Sequence, residues 1–546
     1  MAAGTDSPAR LGVYPPGELK ARGRLLAALE DAFPVRFEAY ETGTAARLEG
    51  VLVLGAEQPA GLPPELPVLS AAAEEHAGAT RSVRLSSALE LPLRDALLSD
   101  SFTGPLGELE ESATVLAESD GAPVWIERAP GRLAVACAPA ELGPEESLRE
   151  RLAPGRCLSL LAVVHLIRLV LGEREPDPGE LRAAFVFDDP NLHWPTYGHV
   201  HYGRLAAHAR EHGYHSVIAM VPLDGWLAHP GVIRTFAEHP GELSICIHGN
   251  DHLGPELGRI ADAPAGVALA ARAIRRSTAF ERRTGLAVDP VMVPPHEELS
   301  EFAARGLAAA GYEAVCVSRP YPWVRPLGPF AAPAGRGALS GWGSREILDG
   351  GLPVLLRAGF NAPLEDLVLR AYLGQPLILY GHHDLLAEGH EPLARAAAAI
   401  NALGEVRWGT LASIARAGLR TRRLGGVLEV QMLARRVVVQ VPEGVGELRV
   451  DHRALGPAAP GRPLSVTGSS SPPRPSATEG VSLLEPAAPG TLELRLGAPH
   501  AEPSDLSSGP LFGALLRRSA SEARDRLSVL GRGRGARRSL SSLRGR

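Results

Sequence analysis

The stretch Phe185-Val186-Phe187-Asp188-Asp189-Pro190-Asn191 continues an apolar run that begins at Ala183 and ends in two adjacent carboxylates. A short apolar run of this kind reads as a buried strand. A second run, Leu243 to Ile247, ends in His248-Gly249-Asn250-Asp251-His252, with two histidines four positions apart. Two strands that each release metal-ligand side chains at their C-terminal ends imply one site on one rim of a parallel α/β structure. One carboxylate and two imidazoles, with coordination positions left open, form a common catalytic metal set.

Around this pair the alternation is regular. Strand-like runs occur at Ala183–Phe187, Ser216–Val221, Leu243–Ile247, Val291–Val293, Ala314–Val317, Val354–Leu356 and Leu377–Tyr380. Helical stretches such as Val267–Arg283 and Leu393–Leu403 separate most of them. About seven βα units between residues 180 and 419 fit a (β/α) barrel, complete or incomplete, better than a small open sheet.

The flanks differ in character. Residues 10–172 alternate helix and strand signals, with runs at Gly50–Gly55, Leu66–Ser70, Ala113–Ala117 and Leu133–Cys137, and a closing apolar helix from Leu158 to Gly172. An open parallel or mixed sheet follows. The pattern distantly resembles flavodoxin-like or glutamine-amidotransferase-like domains; it carries no phosphate-binding glycine fingerprint, and its expected role is structural or regulatory. Glu173 to Gly179 is a linker by composition. Residues 420–496 are β-rich and read as a small antiparallel β-sandwich, with a disordered Ser/Pro loop from Thr467 to Thr478. Residues 497–546 are low in apolar content and rich in arginine, including Arg517, Arg518, Arg524 and Arg526. A disordered tail with weak affinity for acidic surfaces is expected.

Composition excludes several classes. A 45% hydrophobic, 22% charged chain of 546 residues is globular, with room for about three domains. Its net charge of −6 argues against a specific nucleic-acid binder. Cys137, Cys157, Cys246 and Cys316 lie far apart with no CxxC pair, so no disulfide framework is expected and a reducing, cytoplasmic setting is favoured. The N-terminus lacks the basic and apolar regions of a secretory signal, and Leu160–Leu171 is too short and too interrupted to span a bilayer. Oligomeric state is not legible.

Chemistry-bearing residues gather where predicted strands end. These are Asp188-Asp189, then His248 and His252, then Pro294-Pro295-His296-Glu297, then Gly381-His382-His383-Asp384. Singly, adjacent aspartates commonly cap a turn and a lone His-x-x-x-His pair is more often incidental. Four coincidences at strand ends reverse that weighting. The donor set suits zinc or a similar divalent ion, with cobalt, nickel and manganese as alternatives.

In this order the motifs resemble the polysaccharide deacetylases with a NodB homology domain (carbohydrate esterase family 4 and relatives). The resemblance covers residues 180–420. It implies that Asp188 is the general base, that Asp189, His248 and His252 hold the metal, and that His382 or His383, with His382 nearer the strand end, is the general acid. Two departures stand out. Pro190 occupies the place of the family's usual glycine, and Val291-Met292-Val293-Pro294-Pro295-His296 lacks the arginine that pairs with the base, leaving His296 as a candidate partner. The loop carrying Asn191, His193, Trp194 and Tyr197, together with Pro295 and His296, is expected to meet substrate.

The resulting expectation is a metal-dependent hydrolase removing an N-acyl group from a sugar or sugar precursor in surface-polysaccharide biosynthesis. Two alternatives remain. One is a non-catalytic carbohydrate-binding or scaffold protein. The other is a related glycoside hydrolase, which needs a second carboxylate such as Glu297, Asp251 or Asp384.

Overall fold

The architecture follows from a period of two along the apolar runs. In a computed structural model the described residues are 7–527, apart from 42, 44, 56–57, 60, 72–78, 103, 108–111, 320–336, 349, 457–463, 469–471 and 498–512. Seven runs become seven parallel strands: Leu181–Asp188, Ser216–Met220, Leu243–His248, Asp289–Val293, Ala314–Val317, Leu352–Gly359 and Leu377–Gly381. The first pairs in parallel with both the second and the seventh, so the barrel is closed. Of the complete and incomplete barrels that the sequence left open, the complete one is observed. Val406–Trp408 adds to the start of the first strand, and Glu346–Leu348 returns antiparallel along the sixth.

Alternate residues divide between two cores. Phe185, Phe187, Ile245, Ile247 and Val315 face outward, into the large cluster formed with the surrounding helices. Ala184, Val186, Ala219, Cys246, Ala314 and Cys316 belong to a separate buried cluster that fills the lumen. Small residues predominate there because a seven-strand barrel leaves little room inside. The helix Leu411–Arg416 contributes Leu411, Ala412, Ile414 and Ala415 to the same cluster. The Asp289 carboxylate, at the start of the fourth strand, accepts from the Ala412 amide at 2.9 Å, so this helix closes the floor. The opposite rim is not covered by this helix.

The N-terminal unit is a nine-stranded mixed sheet. Its parallel half has the order Val35–Ala39, Ala9–Tyr14, Gly50–Leu54, Val68–Ala71, Arg132–Val135, the 2-1-3-4-5 order of flavodoxin-like sheets. Between the fourth and fifth of these strands lies an antiparallel insertion, Thr80–Leu85, Leu97–Ser101, Thr114–Ser119 and Ala122–Ala129. The helix Leu158–Leu171 packs across the sheet. Its core is continuous with the outer core of the barrel. The Glu365 carboxylate accepts from the Ser99 amide and hydroxyl at 2.7 and 2.8 Å, and Arg168 lies 4.0 Å over the Tyr372 ring, tying the two units together.

The linker is not free chain, since Asp177 and Thr421 exchange backbone hydrogen bonds of 2.8 and 3.0 Å. After it, five-stranded and three-stranded sheets enclose an apolar core of their own. The pairing is antiparallel except between Val427–Met432 and Glu447–Asp451, which run parallel. Part of the loop expected to be disordered is ordered, because Arg474–Pro475 pairs with Val481–Leu484; residues 469–471 lie outside the described set. Residues 513–527 of the arginine-rich tail, expected to be disordered, are helical; residues 498–512 and 528–546 lie outside the described set. All four cysteines are buried and unpaired with one another. No helix of the described residues is long and apolar enough to cross a membrane.

Candidate metal and acid-base site

The lumen rows end in charged and ligand-bearing side chains. Asp188, His248 and Arg357 stand two positions beyond Val186, Cys246 and Leu355, on the same faces of their strands, so strand parity delivers them to the top of the lumen. Asp188 is 4% exposed and Arg357 1%. Arg357 donates from Nη1 and Nη2 to the two carboxylate oxygens of Asp188, both at 2.8 Å. Its Nε donates to Glu297 at 3.0 Å, and its guanidinium lies 3.9 Å over the Tyr380 ring. Burial alone pushes the Asp188 carboxyl up; Arg357, with His248 and His382 nearby, outweighs it and holds the group below the usual carboxylate range.

This corrects the reading of His296. The arginine absent from the Val291–Pro295 segment is supplied by the sixth strand, and His296 instead faces His252, with ring centroids 5.3 Å apart.

Asp189 leaves the strand with φ +82°, which turns its carboxylate away from the lumen row and toward the histidines. Its Oδ1 lies 3.9 Å from His248 Nε2 and 3.5 Å from His252 Nε2. Ligand atoms of the three residues all fall within 4.8 Å of one another, the one such group among the described residues. Zinc–ligand bonds of about 2.0–2.1 Å in a tetrahedron need ligand atoms about 3.3–3.4 Å apart, and the two Asp189 contacts, 3.9 and 3.5 Å, lie within about 0.6 Å of that spacing. His248 Nδ1 lies 2.9 Å from the Val293 carbonyl, which fixes that nitrogen as the donor and leaves Nε2 as the ligand atom. Burial pushes the His248 imidazole down despite Asp188 and Asp189, and burial likewise lowers His252. Neutral imidazoles are the form a metal takes. The donor set fits a divalent ion.

The loop between the two histidines is held from below. Glu256 accepts from the amides of Asn250 and His252 at 2.7 and 3.0 Å, and Arg276 donates to the Asn250 side chain at 2.8 Å. Gly249 sits at φ +64°, where a Cβ would meet Glu256 and the Pro295 ring. Of the six non-glycine residues with positive φ among those described, Asp189, His252, His296 and Glu297 are all at this site. Such strain is characteristic of functional geometry.

The late histidines separate. His382 is exposed at the end of the seventh strand and acts electrostatically on Asp188. His383 is packed beneath Gly198, stacked with His199 and edge-on to Tyr197.

Sequence reading missed the helix 513–527, which covers this rim. Arg518 pairs with buried Asp224 at 2.6 Å and approaches Asp189 Oδ1 at 3.4 Å. Glu522 Oε2 accepts from Asn191 Nδ2 at 3.1 Å and lies 3.1 Å from His193 Nδ1. Asp525 accepts from the Tyr197 hydroxyl at 2.8 Å, and Arg526 lies 5.6 Å over Trp194. The expected substrate-contacting residues Asn191, His193, Trp194 and Tyr197 are thus gathered in one place, against the chain's own helix. Trp226, also missed, is 61% exposed beside His193.

No protein-family model matches this sequence, and no curated protein matches it. Solved structures with similarity to it include three carbohydrate-active proteins. A polysaccharide deacetylase from Mycobacterium smegmatis is 17% identical at TM-score 0.30, over 44% of this chain and 90% of that one. A family 4 carbohydrate esterase from Streptomyces lividans is 13% identical at TM-score 0.26, over 42% and 92%. A Streptococcus mutans esterase of the same family is 12% identical at TM-score 0.27, over 44% and 90%.

Proposed function

We propose that the barrel is a metal-dependent hydrolase that removes an N-acyl group, most simply acetyl, from a sugar or sugar precursor. The observation that carries this reading is the juxtaposition of two units at one rim. A buried carboxylate, Asp188, is locked by a bidentate arginine, and next to it stands the Asp189, His248 and His252 donor set.

Asp189, His248 and His252 would hold a divalent ion, which when bound would supply Lewis acidity toward a carbonyl oxygen and lower the pKa of water. Zinc suits these donors best, with cobalt, nickel or manganese as substitutes. Asp188, ionised at neutral pH and unable to rotate away from Arg357, takes the proton of the attacking water. His382 delivers a proton to the departing nitrogen, a step that amide cleavage requires because an amide anion leaves poorly. His383 is the weaker candidate, being held by packing against Gly198 and Tyr197. Exposed Trp194 and Trp226 offer apolar faces for a sugar ring. The substrate assigned is a precursor in surface-polysaccharide assembly, on analogy with the resembled family.

The test is acetate release from N-acetylated monosaccharides, nucleotide sugars and short oligomers by metal-reconstituted protein, with Asp188→Asn alongside. Turnover in the wild type and none in the variant is expected. Full metal loading with no acetate from any substrate would leave the barrel as a binding scaffold.

A further inference from the structure

The inward face of the helix 513–527 is charged, while two of its leucines point outward beside the exposed Arg517 and Arg524. Arg518, Glu522, Asp525 and Arg526 recur at i, i+4, i+7 and i+8, one side of a helix, and each meets a group of the barrel rim. Leu516 and Leu527, by contrast, are each 64% exposed. The apolar attachment is confined to Ala514 and Leu515 against Val221, Leu223 and Leu253. A helix serving as cladding would bury its leucines; this one meets a polar socket through Asp224, Asn191, His193, Tyr197 and Trp194. With little apolar area buried, docking rests on polar contacts, chief among them the buried Arg518–Asp224 pair, whose groups both regain water on release.

Its position gives that release a consequence. The Arg518 guanidinium approaches Asp189 Oδ1, the same oxygen that faces His248 and His252. A divalent ion on that oxygen and a guanidinium beside it repel each other. The same helix occupies Asn191, His193 and Tyr197. We propose that the helix 513–527 is an internal plug of the barrel mouth, docking in opposition to both the divalent ion and the substrate. Arg518 is its contact with the metal site. This rests on the metal site proposed above.

The experiment uses the full chain and zinc alone. Zinc affinity is measured by chelator competition, and amide exchange of residues 513–527 is followed with and without zinc. Three proteins are compared: wild type, Arg518→Gln, and Glu522→Ala combined with Asp525→Ala. The double variant loosens the helix without touching Arg518. If the docked form holds about nine-tenths of the wild type, release tightens the apparent Kd about tenfold. Both variants are expected to show that gain, and zinc is expected to speed exchange of the helix amides in the wild type. Equal zinc affinity in all three proteins, with helix exchange indifferent to zinc, overturns the plug and spares the site. A gain confined to Arg518→Gln overturns the plug in favour of a local charge effect. Zinc bound by none of them, the loosened variants included, overturns the site and the plug together.

Discussion

Arg357 and Asp188 meet through two parallel hydrogen bonds of 2.8 Å, sealed inside the barrel and reached from strands that are not neighbours. An arginine fork matches a carboxylate in a way lysine does not. Arg357→Lys is therefore expected to fold yet lose most turnover, on the order of ten- to a hundredfold in kcat, because the carboxylate is no longer held in one orientation. Arg357→Ala leaves a buried charge unpaired and is expected to cost about 3–5 kcal/mol. Steady-state kinetics and urea unfolding of both variants separate the two effects; a lysine variant with wild-type kcat would remove the positioning role.

Metal retention tests the proposed division between ligands and base. Asp189→Ala and His248→Ala are expected to lose stoichiometric zinc by elemental analysis, whereas Asp188→Asn keeps it. Loss of zinc in Asp188→Asn would mean that Asp188 belongs to the ligand set.

Gly249 is required by its φ of +64° and by the Pro295 ring and Glu256 carboxylate beside it. Gly249→Ala is expected to destabilise the chain by about 1–3 kcal/mol and to weaken zinc binding, since both histidines hang on this turn. Calorimetry with a zinc titration checks it, and an unaltered variant would show that the loop relaxes freely.

At the barrel floor, burial pushes the Asp289 carboxyl up to about 6. Its unfolded value is about 3.9. Between these two values the folded chain binds more protons than the unfolded one, so stability falls as pH rises through that window and levels off above it. Asp289→Asn, which keeps an acceptor for the Ala412 amide, should be more stable than wild type near neutrality by on the order of 1 kcal/mol. The advantage should vanish near the lower end of the window. Urea midpoints at the two pH values decide, and an advantage independent of pH would point to another cause.

The barrel was legible because each of its strands is an apolar run, and runs survive inspection even in an alanine- and glycine-rich chain. Asp189, His248 and His252 were legible because their strands end where their side chains begin to matter. Arg357 was passed over for the opposite reason. A charged residue after Val354-Leu355-Leu356 reads as the end of a strand, yet the strand continues to Gly359. The overlooked signal was parity with Leu355, which assigns Arg357 to the lumen. Thr80–Leu85 escaped notice because most of it is exposed and offers no apolar run. The helix 513–527 was hidden by its composition: a tail poor in apolar residues is expected to be disordered, but here the Arg518–Asp224 ion pair, side-chain hydrogen bonds and a cation–ring contact replace apolar burial as the means of attachment.

The N-terminal sheet and the barrel share one uninterrupted outer core. For inherited or laboratory variation this spreads vulnerability well beyond the rim. A cavity opened at Trp125 or Leu160 leaves every group at the site chemically unchanged. It shortens the lifetime of the whole folded unit, and a loss of 1–2 kcal/mol is enough to change abundance in a cell several-fold. Damaging substitutions in residues 9–171 should accordingly surface as missing protein, with the rim unaltered in the molecules that remain.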